Sequence, residues 1–141
     1  MGARAQSVTL DIQGRALRVE REAAGVARFT FAELCERPLG ARDYIAVAEA
    51  FHTVVLENVP QLPRARHNEA RRFTILIDTL YDRGIRLVVS AATPPDEIYE
   101  GSGAGNEFAR TVSRLHEMCS QDYWQGARER PWRLAASPHP G

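Results

Sequence analysis

The chain contains no lysine: all 18 of its basic residues are arginine. Any mechanism that depends on a Schiff-base lysine, or on a lysine in a phosphate-binding loop, is excluded within this chain. Cysteine is scarce too. Cys35 and Cys119 are the two present, each beside apolar residues in an expected helix, which suits buried free thiols better than a disulfide scaffold. Net charge is absent, because 18 acidic residues balance the 18 arginines. No global field therefore favours nucleic acid or an anionic membrane. No apolar run approaches the ~20 residues that span a bilayer, and the start, MGARAQSVTL, has no long apolar segment of the signal-peptide kind. The cytoplasm is the expected compartment, with no transmembrane segment and no nucleic-acid partner. Metal-ligand spacing is also missing: His52, His67, His116 and His139 do not fall at ligand distances from one another or from cysteine. There is no G-x-S-x-G elbow. The aromatic residues do not interleave with basic ones as a single-strand nucleic-acid binder requires.

What is present is enough apolar content, 44% of 141 residues, to fill the core of one domain. The stretch Phe51 to Tyr99 organises it. His52 to Glu57, HTVVLE, is a β-branched apolar run stopped by Pro60. Arg66 to Arg83 has helical period, with Phe73, Leu76, Ile77 and Leu80 at i, i+3, i+4, i+7. Gly84 stands where a helix C-cap glycine belongs. Ile85 to Val89, IRLVV, is a second short apolar run, ended by Ser-Ala-Ala-Thr-Pro-Pro. Two such runs joined by a helix predict a βαβ unit with parallel strands and a right-handed crossover. Neither run alternates, which predicts strands covered on both faces.

Upstream, Ser7 to Ile12 and Ala16 to Glu20 alternate about Gln13-Gly14 and predict a hairpin. Val26 to Phe31 is a third short strand, Phe31 to Arg37 a short helix, and ARDYIAVAEAF after Gly40 a helix with Tyr44, Val47, Ala48 and Phe51 on one face. Downstream, a short helix begins at Asp96. Glu100 to Gly105 is a glycine-rich loop, and Asn106 can cap a helix running to about Cys119. Phe108, Val112, Leu115 and Cys119 form its apolar face. Residues 1–6 are expected to be disordered, 7–125 to form a single α/β domain, and 126–141 to be a flexible tail.

Four features carry candidate chemistry. Glu57 ends an apolar strand, where a carboxylate faces the ligand crevice of an open α/β sheet; it is a metal-site acid or a plain strand-end polar residue. Ser90 and Thr93 end the neighbouring run, where a small polar group can touch a γ-phosphate or simply cap a loop. The loop GSGAG before the last helix can offer free N–H groups to an anion or act as a linker; it is not G-x-x-x-x-G-K-[ST]. Arg71, Arg72, Arg110 and Arg114 lie on amphipathic helices. Each is a candidate to bridge phosphates or to pair along its own helix, as Glu69 with Arg72, Glu107 with Arg110 and Arg114 with Glu117.

The strings FTFAELCERPLGARDYIAVAEAFHTVVLENVP, EARRF-x-x-LID-x-LYDRG-x-x-LVVSA and FARTVSRLHEM-x-S-x-x-Y, in this order, resemble the C-terminal part of the AFG-like ATPases. Their bacterial members are the ZapE cell-division proteins, and the likeness covers about residues 16–124. The resemblance implies part of a P-loop, AAA-like three-layer α/β fold, with the central βαβ unit preceded by a short β-hairpin. It implies ATP and Mg2+ as cofactors, with Glu57 and Ser90 as cofactor-binding candidates. Arg71, Arg72, Arg110 and Arg114 match family positions and are the nucleotide-sensing candidates. The family's phosphate loop and magnesium-site acidic pair belong to its N-terminal half, and this chain contains neither. The chain thus resembles a fragment that is inactive and does not hold ATP alone. Its implied partners are an N-terminal nucleotide-binding half or a full-length homologue, and cell-division proteins. A cell-division or protein quality-control role is one reading. A non-catalytic interaction module derived from such an ATPase is the other.

Overall fold

A computed structural model of the chain describes residues 6–100 and 107–118. It holds one five-stranded mixed sheet in the order β1 (Gln6–Ile12), β2 (Arg15–Ala23), β3 (Val26–Thr30), β4 (Thr53–Val59), β5 (Arg86–Ala91). The first three strands form an antiparallel meander, and β3, β4 and β5 run parallel. Helices α1 (Phe31–Cys35) and α2 (Ala41–Ala50) connect β3 to β4, and α3 (His67–Asp82) connects β4 to β5. α4 (Glu107–Met118) follows β5. Because the strand order advances in one direction, right-handed crossovers place their helices on the same face. The helices form one layer there, with α3 in contact with α1, α2 and α4.

The expected βαβ unit is present, as is the hairpin before it, and the whole is an α/β arrangement of three-layer type. Among the described residues, helices cover one face of the sheet. The expectations for residues 1–5 and 126–141, for the glycine-rich loop, for Asn106 and for Cys119 lie outside the described residues. β1 takes in Gln6, which was expected to be disordered. The expectation that β4 and β5 are covered on both faces holds for one face among the described residues. Ala27, Val54 and Leu87 lie in register on that face and are essentially buried. Val88, on the other, is 41% exposed.

Both hairpins close through two residues with positive φ: Gln13 and Gly14 (53° and 86°), and Ala24 and Gly25 (54° and 84°). Such mirror-image turns match the right-handed twist of the strands they join. A bulge follows in β2. Gln6 pairs Glu22 and Val8 pairs Val19, so Ser7 alone stands opposite Glu20 and Arg21. The extra residue flips sidedness. Leu17 and Val19 point into the core, while Arg21, which the alternation alone would also send inward, emerges on the open face beside Arg28.

Capping fixes the helix ends. The Thr30 hydroxyl accepts the Glu33 N–H, and Glu33 Oε1 accepts the Thr30 N–H at 2.8 Å, a reciprocal pair that starts α1 directly from β3. Buried Asp43 accepts the Gly40 N–H at 2.8 Å and pairs with Arg15 at the first hairpin, tying α2 to the meander. Gly84, at φ 68°, ends α3: its N–H donates to the Tyr81 carbonyl and the Ile85 N–H to the Leu80 carbonyl. Buried His52 donates from Nε2 to the Ala24 carbonyl at 3.0 Å, so its Nδ1 accepts from the Thr53 hydroxyl at 2.7 Å.

Both turns hold a non-glycine residue in the left-handed region, Gln13 in the first and Ala24 in the second. Alanine in the left-handed region costs on the order of 1 kcal/mol, and Ala24 is exposed with its carbonyl already held by His52. Ala24→Asn is expected to raise unfolding stability by about 0.5–1 kcal/mol, and Ala24→Val to lower it, as read by urea denaturation.

Candidate functional site

Every parallel strand here ends at one edge, and α1, α3 and α4 begin there. That edge is where an open α/β sheet binds ligands. α4 runs parallel to α3, because contacts recur in step along the seam: Phe73 with Phe108 (centroids 6.1 Å apart), Thr74 with Thr111 (3.2 Å), Asp78 with Arg114, and Tyr81 with Glu117 (2.9 Å). The rings of Phe31, Phe73, Phe108 and Tyr99 form a continuous chain from α1 through α3 and α4 to the loop after β5. That loop is clipped to the one after β4. Leu62, fully buried, forms a bridge to Tyr99, and the Glu100 N–H donates to the Leu62 carbonyl at 2.9 Å.

Glu57 and Ser90 both reach this edge. Glu57 is not a free carboxylate: Oε1 accepts from Arg21 at 2.8 Å and Oε2 pairs with Arg28 at 3.1 Å. A break in register between Leu56 and Val59 lets Asn58, at φ 63°, oppose Ser90, whose hydroxyl accepts the Asn58 N–H at 3.0 Å. The shift keeps Val59 buried. Thr93 turns its hydroxyl onto the Pro94 carbonyl, and Pro95–Glu97 form a short 3-10 turn, near the expected Asp96 helix. No group of three His, Cys, Asp or Glu side chains that could hold a metal occurs among the described residues.

The four arginines separate into two kinds. Arg72 donates from Nη1 to the Cys35 carbonyl at 3.0 Å, satisfying the end of α1. Burial pushes the Cys35 thiol far up despite that nearby charge, so it is a protonated apolar filler. Arg114 pairs with Asp78 and lies 4.8 Å over the Tyr81 ring. The Tyr81 hydroxyl donates to Glu117, which holds the phenol above its ordinary value. Arg71 and Arg110, by contrast, are exposed. Arg71 lies one turn before Thr74, and Arg110 one turn before Arg114. Both therefore stand at the start of the α3–α4 seam, on the carboxyl edge.

The pairing expected along single helices is corrected in two places. Glu69 pairs with Arg66, at 3.4 Å, and not with Arg72. Its carboxyl is held low first by its own backbone amide in the first turn of α3, then by Arg66. Arg114 pairs across the seam with Asp78 and not with Glu117. The Glu107 side chain lies outside the described residues. For Glu69 a different i, i+3 neighbour wins, and for Arg114 a group on the facing helix, which helical spacing cannot name. Sequence reading missed Asp43, Arg15 and the two guanidiniums on Glu57. The T-x-x-E string at Thr30 to Glu33 was a legible capping signal; the Glu57 partners left no local signal, and one of them, Arg21, is brought there by a bulge.

The family model for AFG1-like ATPases matches residues 1–127. The chain belongs to the AFG1-like ATPase family. It is 44% identical over 125 residues to cell division protein ZapE of Escherichia coli, covering 86% of this chain and 32% of that protein. It is 37% identical over 147 residues to lactation elevated protein 1 homolog B of Danio rerio, covering 82% of this chain and 29% of that one. The chain thus spans about a third of the length of the curated relatives it matches. No solved structure matches it. No helix among the described residues is long and apolar enough to cross a membrane.

If the seam explains Arg114, it is coupled to Asp78. A double-mutant cycle of Arg114→Ala and Asp78→Ala, read by thermal unfolding, is expected to give a coupling of about 0.5–1 kcal/mol for this partly exposed pair. Additivity would separate the two residues energetically.

Proposed function

We propose that this chain is the portion of an AFG1-like ATPase that contributes arginine side chains to a nucleotide site completed by a separate phosphate-binding half. Family membership over residues 1–127 carries the reading. The donors do not fit an ATP–Mg2+ site of the chain's own: there is no lysine in the sequence, and both oxygens of Glu57 are engaged by guanidiniums. The nucleotide and its metal are then held by the other half, and alone this chain does not turn over ATP. Arg71 and Arg110 are the candidates to reach it, a reading supported by their exposure at the start of the seam. Arg72 and Arg114 support the helices that present them. Glu57 and Ser90 shape the strand ends, with Glu57 fixing Arg21 and Arg28 in place. A bound phosphate group would be met by planar guanidiniums, which stabilise charge during phosphoryl transfer by positioning alone.

The relative named for cell division supports a role in that process. The second reading, an interaction module without catalysis, is favoured by the full engagement of Glu57. The two part on one experiment. The mass of the protein is measured in its source cell, and ATP turnover is assayed on the purified species. A species well above 15.7 kDa that hydrolyses ATP is expected. In it, Arg71→Ala and Arg110→Ala should each lower kcat at least about tenfold with the melting temperature unchanged. Arg72→Ala should lower the melting temperature instead. A 15.7 kDa species silent to ATP would leave the interaction module.

A further inference from the structure

The face of the sheet away from the helices carries one continuous row. Arg21 pairs Arg28, Arg28 pairs Val55, and Val55 pairs Val88, so four side chains cross β2, β3, β4 and β5 side by side. Thr30 and Glu57 form the next row toward the carboxyl edge. On the helix side Ala27, Val54 and Leu87, the equivalent row on β3, β4 and β5, are 1% exposed or less. On this side Val55 is half-buried, and Val88 is the exposed large apolar side chain among the described residues.

Three observations say what covers it. Parallel strands occur almost only with both faces packed, and it is crossover helices that pack them; β4 reads as such a strand, with no alternation in Thr53–Leu56. The curated relatives extend well beyond this chain, which spans 29–32% of their length. Arg21 and Arg28 share a single carboxylate, Glu57, which among the described residues leaves one positive charge uncompensated beside the valines.

We propose that the row Arg21, Arg28, Val55 and Val88 is the docking surface for an amphipathic helix from the part of an AFG1-like ATPase outside this sequence. Its apolar side lies on Val55 and Val88, and an acidic residue meets Arg21 and Arg28. This rests on the family reading but not on ATP turnover. The interface positions the chain so that its carboxyl edge, with Arg71 and Arg110, is presented at a fixed angle to the other part.

Hydroxyl-radical footprinting, which labels side chains, tests it without nucleotide on two proteins: this 141-residue chain and the full-length Escherichia coli relative. Val55 and Val88 should be oxidised readily here, and the aligned positions should be protected severalfold in the longer protein. Val88→Glu should leave the melting temperature of this chain unchanged, and its counterpart should lower that of the relative. Equal labelling in the two proteins would overturn the proposal. So would protection in this chain accompanied by a doubled mass, which would make the occupant a second copy. An ATP-hydrolysing relative with both positions exposed would sink the docking surface and leave the ATPase reading standing.

Discussion

The apolar stripe of α3 is the constraint on which the other elements depend. Phe73, Leu76, Ile77 and Leu80 are fully buried, and each contributes about 1.5–3 kcal/mol of transfer free energy before entropy is set against it. α3 touches all three other helices and hands the chain from β4 to β5. Its exit is set by Gly84, whose left-handed backbone turns Ile85 back onto Leu80 and starts β5 in register. Remove the stripe, and the crossover, the parallel pairing and the platform for α4 lose their common support.

Polar groups then act as fasteners between elements and not as ornaments on single helices. Asp43 joins α2 to the first hairpin. Arg72 joins α3 to α1, Arg114 joins α4 to α3, and Glu57 joins β4 to β2 and β3. Each is half-buried or deeper on at least one side, where a charged partner is worth more than at an open surface. The same use of charge decides which side chains stay available. Of four arginines that look alike in sequence, two are consumed by packing and two remain at the solvent edge of the seam.

Much of the fold was legible because its elements announce themselves locally. The i, i+3, i+4, i+7 spacing of α3, the cap at Gly84, the alternation about Gln13-Gly14 and the β-branched runs of β4 and β5 each depend on neighbours in sequence. The site was less legible. The guanidiniums on Glu57 come from positions 36 and 29 residues upstream, and one of them arrives only because a bulge reverses the side of β2. Residues paired across α3 and α4 are some 36 apart, beyond any helical period. The open face was not legible for a related reason. An apolar run shows that a strand is buried, not what buries it, and here the cover for one side is not among the described residues.

By itself, the sequence determined the element order, the parallel βαβ unit, the apolar faces, the exclusion of lysine chemistry and the family. The first four follow from local periodicity, backbone preference and composition, and the family follows from likeness to known sequences. The tertiary structure alone decided, among the described residues, which arginines are exposed, which carboxylate is neutralised and which sheet face is open. Those depend on distances between residues far apart in the chain, set when packing and strand register bring them together.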